Sequence, residues 1–180
     1  MKHRLVYLTG LSFVMSVVSC GEDDPLDAAW QKFRNGDYAG AHAAFTDLVP
    51  GEREAYVGLG YTTMRMDSID EASGYFSVVA ADSFVAAYAG WCVTAWERNE
   101  DAQGVDRGLF VLRKQPVFVF THERTLTDDD VRWHIASCYL NLGNYQACSD
   151  MIQTIDASFA STTNPDALLA KLEALYDTLD

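Results

Sequence analysis

The chain has 180 residues, 49% of them apolar and 12% aromatic, which is enough to bury the core of one domain and excludes disorder as its general state. Thirteen Lys and Arg stand against 26 Asp and Glu, a formal charge of −13, so nucleic acid is repelled and no nucleic-acid partner is expected. There is no CxxC, HExxH, G-x-S-x-G or glycine-rich phosphate loop, which leaves no catalytic set, no metal site and no cofactor to expect.

The first 19 residues stand apart from the rest. Lys2, His3 and Arg4 form a basic start, and the uncharged run 5–19 is too short to span a bilayer comfortably, which is the layout of a secretion signal. It ends in Val17-Val18-Ser19-Cys20, which resembles the lipobox of bacterial lipoproteins, although that pattern more often has Leu where Val17 stands. The resemblance implies cleavage before Cys20 and acylation of its sulfur, so that acyl chains and not surface charge hold the protein at a membrane. An ordinary cleaved signal or an N-terminal anchor helix is the alternative. Residues 20–25 then form an acidic tether. Gly21 is not the Asp that retains enterobacterial lipoproteins at the inner membrane, so the resemblance implies the outer membrane, on the periplasmic face or at the cell surface. Glu22-Asp23-Asp24 is similar to the export tags of Bacteroidetes surface lipoproteins and equally to a plain solvated tether.

From residue 26 onward the apolar spacing is helical, and one phrase recurs. Tyr38-x-x-Ala41-x-x-x-Phe45 returns as Ile69-x-x-Ala72-x-x-x-Phe76 and as Tyr145-x-x-Cys148-x-x-x-Ile152, each after a turn: "NGD", "MDS" and "LGN". Seven residues before each turn centre stands a small residue on an earlier helix: Ala29, Gly60 and Ala136. These units, 27–49, 55–81 and 131–155, resemble tetratricopeptide repeats (TPR), with Trp30, Leu59 and Pro50 near other consensus places. A degenerate third unit is expected over 85–113, with Gly90 as its small residue, an overlong turn "RNEDAQ", and a second helix patterned Val105-x-x-Gly108-x-x-x-Leu112.

At about 114–127 the pattern breaks. Pro116 forbids helix, and Val117 to Phe120 has strand-like composition without an evident partner, so an ordered loop with its phenylalanines tucked against the stack is expected. Thr127 before three aspartates restarts a helix. Asn164-Pro165 starts the last one, whose apolar face comprises Leu168, Leu169, Leu172, Leu175, Tyr176 and Leu179. It serves to seal the open end of the stack or, alternatively, to dimerise. The expected fold is an all-α TPR-like superhelix over 26–180 with a C-terminal capping helix.

Site candidates come from the first helices of the repeats. Trp30, Tyr61 and Trp91 each follow a small residue, and one turn on come Phe33, Met64 and Thr94, then Arg34, Arg65 and Ala95. In TPR proteins that face lines a concave peptide groove. The resemblance therefore implies a groove of Trp30, Phe33, Tyr61, Met64, Arg65 and Trp91 suited to an extended acidic or aromatic peptide; core packing of the same aromatics is the competing expectation. Val57, Tyr61 and Arg65 replace the Lys and Asn of carboxylate-clamp TPRs, which disfavours that subclass. Cys138 and Cys148 either bridge or are simply small and buried, and Cys92 takes the place of Cys138 one unit earlier. His134 and Asp130, with His122, Asp128 and Asp129 near in sequence, are the best cation constellation, and a capped acidic helix start explains them equally well. The expected function is a non-catalytic envelope lipoprotein whose groove docks another envelope protein or peptide segment. The alternative is a ligand- or glycan-capturing accessory of an outer-membrane uptake system.

Overall fold

Short turns force consecutive helices to lie antiparallel, and here they produce four hairpins stacked in chain order. The computed structural model describes residues 24–49, 51–123 and 126–179. The leader, Cys20, the start of the tether and Pro50 lie outside them. The hairpins are α1 (Pro25–Arg34) with α2 (Tyr38–Leu48), α3 (Ala55–Arg65) with α4 (Ile69–Val78), α5 (Val85–Glu97) with α6 (Asp101–Lys114), and α7 (Asp128–Asn141) with α8 (Tyr145–Ile155). A final helix, α9 (Pro165–Leu179), packs on α7 and α8. Each second helix also packs on the first helix of the next unit, and the apolar interior forms two clusters that meet at Trp96, Tyr139 and Met151.

The four intra-hairpin turns are the same turn. Each has three residues with the middle one left-handed: Gly36 (φ 78°), Asp67 (φ 59°), Asn99 (φ 57°) and Gly143 (φ 71°). In each, the amide of the third residue closes on the carbonyl five residues back: Asp37 to Lys32 (3.0 Å), Ser68 to Thr63 (2.9 Å), Glu100 to Ala95 (2.8 Å) and Asn144 to Tyr139 (2.9 Å). This is a Schellman-type closure, and Asn and Asp are the non-glycine residues that tolerate its left-handed position best.

That shared turn corrects the register expected for the third unit. The turn after α5 is not overlong, and Asn99 stands where Asp67 stands one unit earlier. The small clasp residue is therefore Cys92, not Gly90. Packing agrees: a Cβ on Gly58 would lie 2.4 Å from the Phe45 ring and one on Gly90 2.4 Å from the Phe76 ring, so Gly90 repeats Gly58. Along α6 the ladder falls on Gly104 and Gly108, not on Val105, Gly108 and Leu112. Where the other units carry a bulky residue this one has Gly108, and α7 supplies the missing volume. A Cβ on Gly108 would meet Ile135 at 2.5 Å, and one on Gly104 would meet Cys138 Sγ at 2.7 Å. Nor do Cys92 and Cys138 share a place, since Cys92 repeats Ala136.

Between α6 and α7 the described residues 115–123 and 126–127 make a small loop. Val117 to Phe120 does have a partner, the loop's own return limb. The Phe120 amide donates to Leu126 O (2.9 Å), the Asp128 amide donates to Phe118 O (2.8 Å), and Val119 and Thr127 form an antiparallel bridge. Phe118 and Phe120 are buried. Thr127 and Asp130 then form a capping box at the start of α7.

Asn164 caps α9 through its side-chain oxygen, which accepts from the Asp166 amide at 2.9 Å. Leu168, Leu172 and Leu175 bury against Trp133, Cys148 and Ile152, and Trp133 Nε1 donates to Leu172 O at 2.8 Å. The result is an all-helical TPR-like solenoid with a C-terminal capping helix. Leu169 and Tyr176 do not join that buried face; they flank it, 48% and 55% exposed.

Candidate functional site

Helices α1, α3, α5 and α7 lie side by side along one face of the stack. With the turn centres as reference, equivalent places read across them as rungs. One rung is Trp30, Tyr61, Val93 and Ser137; the next is Phe33, Met64, Trp96 and Leu140; the third is Arg34, Arg65, Glu97 and Asn141. Charge therefore changes sign along the third rung, from Arg to Glu to neutral.

The N-terminal half of this face is not an open groove, because Phe120, His122 and Glu123 of the loop are seated in it. Phe120 stacks on Tyr61 (centroids 4.0 Å apart, planes 17°) and meets Trp30 edge-on at 5.7 Å. His122 stacks flat on Trp30 at 3.8 Å. Two adjacent polar residues of the loop find both arginines: Arg34 donates to His122 Nδ1 at 2.9 Å, and Arg65 pairs with Glu123. Trp30, Phe33 and Tyr61 are consequently buried, at 1%, 4% and 0% exposure, and the Tyr61 hydroxyl donates to Ala86 O at 2.7 Å. The expected peptide-binding aromatics are thus covered by a segment of aromatic and acidic character that the chain itself provides.

Trp91 does not belong to the groove. It occupies the place of Leu59 and Ile135, pointing toward the second helices, where Arg107 lies over its ring at 3.8 Å and its Nε1 donates to Ser73 Oγ at 3.1 Å. Burial lowers the Arg107 pKa, against the pull of Glu100. Met64 and Arg65 do border the part that remains open.

That open part is the C-terminal half. One hollow of about 310 Å³ lies among Met64, Val93, Trp96, Leu126 and His134. It adjoins a cleft of about 420 Å³ walled by Trp96, Trp133, Leu140, Leu169, Leu172 and Tyr176, with Trp96 and Tyr176 common to both. Trp96 and Trp133 meet edge-on at 5.3 Å, and Trp133 and Tyr176 are 5.2 Å apart. The polar residues of its lining are Ser137 and Asn141 from α7 and Glu173 and Asp177 from α9. A left-handed Asn99 spaced like Asp67 was the signal that would have placed Val93, Trp96 and Glu97 here; nothing local in the sequence brings Trp133 and Tyr176 beside them.

The reactive residues are engaged structurally. Among the described residues no three His, Cys, Asp or Glu side chains converge on a metal position. Asp130 is held in the capping box, Asp128 and Asp129 pair with Arg132, and His134 Nδ1 donates to Asp130 O at 2.7 Å. Burial lowers the pKa of His134. Burial first, and the Arg34 guanidinium second, hold His122 down at about 4, so its ring is neutral and Nδ1 is free to accept. The three thiols are free and buried, Cys138 in the main core cluster and Cys148 in the C-terminal one, so the bridge between them is not formed. Burial pushes Cys92 up to about 12 and Cys148 to about 11, which keeps both protonated and unreactive.

No family model and no curated protein matches this sequence. Solved structures do match the fold. MamA MSR-1 is similar with a TM-score of 0.63 at 15% identity, over 84% of this chain and 85% of that one. MamA AMB-1 is similar with a TM-score of 0.63 at 13% identity, over 86% and 80%. A tetratricopeptide repeat protein from Parabacteroides merdae ATCC 43184 is similar with a TM-score of 0.58 at 15% identity, over 85% of this chain and 60% of that one. At these identities the likeness is one of fold: this chain is built as a TPR-like stack of helical hairpins.

Proposed function

We propose that this protein is a non-catalytic scaffold of the bacterial envelope, anchored at the outer membrane through acyl chains on Cys20, that docks a partner protein in the open half of its concave face. The observation that supports docking is the loop seated in the other half. A segment that buries Phe120 against Tyr61 and Trp30 and engages Arg34 and Arg65 through the adjacent His122 and Glu123 already uses this face as a peptide site, and the same face continues uncovered into an apolar cleft. Protonated buried thiols and histidines tied to backbone or arginine support a role without chemistry. Sugar capture is less well supported, because hydroxyl-rich rings need polar partners around their circumference and the cleft is lined mostly by apolar surface.

Two measurements test this. A photo-crosslinking amino acid at Val93, in the groove, is compared in living cells with one at Asp47, exposed on α2. A discrete adduct with one envelope protein from Val93 and none from Asp47 is the expected result; equal labelling from both, or none from either, overturns the scaffold reading. For the anchor, labelled palmitate enters the wild-type chain and not Cys20→Ser, and the variant leaves the outer-membrane fraction. Retention of both label and fraction in Cys20→Ser removes the lipidation.

A further inference from the structure

We infer that the open half of the groove takes a partner segment presenting an aliphatic or aromatic side chain next to Lys or Arg. This rests on the scaffold reading and supplies the chemistry of the partner. It reverses the charge of the acidic or aromatic peptide that the sequence suggested, because the two arginines behind that charge, Arg34 and Arg65, are already engaged by the loop.

Charge decides the sign. Both arginines of the third rung are engaged by the loop, Arg34 with His122 and Arg65 with Glu123. Beyond them the rung turns to Glu97, and α9 adds Glu173 and Asp177 along the rim. No Lys or Arg lines the cleft, and none of Glu97, Glu173 and Asp177 is ion-paired to another described residue. A desolvating acidic partner would meet uncompensated repulsion here, whereas a basic one is steered in.

Shape decides the apolar part. α9 buries Leu168, Leu172 and Leu175 and turns a second stripe, Leu169, Glu173, Tyr176 and Asp177, toward the cleft. Three- and four-residue steps put these on one helical face, with apolar and acidic groups alternating along it. Opposite stand Trp96 and Leu140, which leaves room of about 420 Å³ for one or two large side chains with a cation beside Glu173 and Asp177. The loop in the first half uses the same grammar with reversed charge: phenylalanine into the face, carboxylate onto Arg65.

The test uses the purified full-length protein in mild detergent and three blocked 12-residue peptides with a Gly/Ser frame around Leu-Lys-Phe-Arg, Leu-Glu-Phe-Glu or Ser-Lys-Ser-Arg. Binding is read by tryptophan fluorescence, since Trp96 and Trp133 line the cleft, and by calorimetry. The first peptide is expected to bind at least about tenfold tighter than the other two, because it alone carries both features. Glu173→Gln with Asp177→Asn should weaken it about three- to tenfold and flatten its salt dependence, the range for two exposed rim charges. Leu169→Asp should abolish it; this side chain is 48% exposed, so an unchanged thermal midpoint separates lost binding from lost fold. Equal or tighter binding of the acidic peptide, or indifference to the double variant, overturns the charge assignment. If the first peptide fails to bind while Val93 still crosslinks a partner, this inference falls alone; if both fail, the scaffold reading falls with it.

Discussion

Phe120→Ala is the sharpest perturbation of the filled half of the groove. The ring is 2% exposed, stacked on Tyr61 at 4.0 Å and edge-on to Trp30 at 5.7 Å. Removing a buried phenylalanine ordinarily costs about 3–5 kcal/mol, of which each aromatic pair accounts for about 0.5–1.5. The loop can detach without unstacking the hairpins, so the loss is capped by its own docking free energy, and about 3 kcal/mol is expected. Denaturant unfolding gives the global value. Hydrogen exchange gives the local one, read at the amides of Phe120 and Asp128, which donate within the loop. Both amides should lose protection while those of α3 keep theirs, and tryptophan emission should shift red as Trp30 is uncovered. A loss below about 1 kcal/mol with loop protection intact would refute the idea that this ring holds the segment in the face.

Other expectations follow from the same geometry. Gly104→Ala gains about 1 kcal/mol of helix propensity but drives a methyl to 2.7 Å from Cys138 Sγ; the single variant should be no more stable than wild type, while the pair with Cys138→Ala recovers the gain, a coupling of about 1 kcal/mol in a double-mutant cycle. Trp91→Ala should cost about 2–3 kcal/mol of stability and leave Val93 crosslinking unchanged, since its ring packs under Arg107 away from the groove. His122 titrates at about 4 in the fold against 6.5 when free, so the unfolded chain takes up a proton that the folded one refuses. The stability this confers is fully present above pH 6.5 and is lost as the pH falls toward 4, by about 2 kcal/mol once solvent screening of the partly exposed ring is allowed for. Urea midpoints across pH 7 to 4 should show the decline, and His122→Gln should remove that share of it; an unchanged profile in the variant would assign the decline elsewhere.

The repeats were legible because hairpin geometry writes itself locally. A left-handed turn, a small residue seven places before it and a bulky one nine places after follow from helix periodicity alone, and where Gly36, Asp67 and Gly143 mark the turn the pattern aligned correctly. In the third unit the mark is Asn99, and its second helix carries Gly108 where the other units have Phe45, Phe76 and Ile152. On α5 the register expected from the sequence is two residues out, which places Trp91 in the groove and leaves Val93 and Trp96 out of it. The missing volume comes from Ile135 and Cys138 on another helix, a compensation that no window on α6 contains.

The sequence by itself determined the helical stack, its caps, the acidic balance and the resemblance of the leader to a lipoprotein signal, since each depends on residues within a few turns of one another. The tertiary structure alone decided which half of the concave face is free. That outcome rests on contacts between segments far apart along the chain: Phe120 and His122 reaching back to Trp30 and Tyr61, and α9 returning to close a cleft over Trp96 and Trp133. Such long-range placement follows from how the whole stack curves and fills its own hollows, and periodicity, being local, does not encode it.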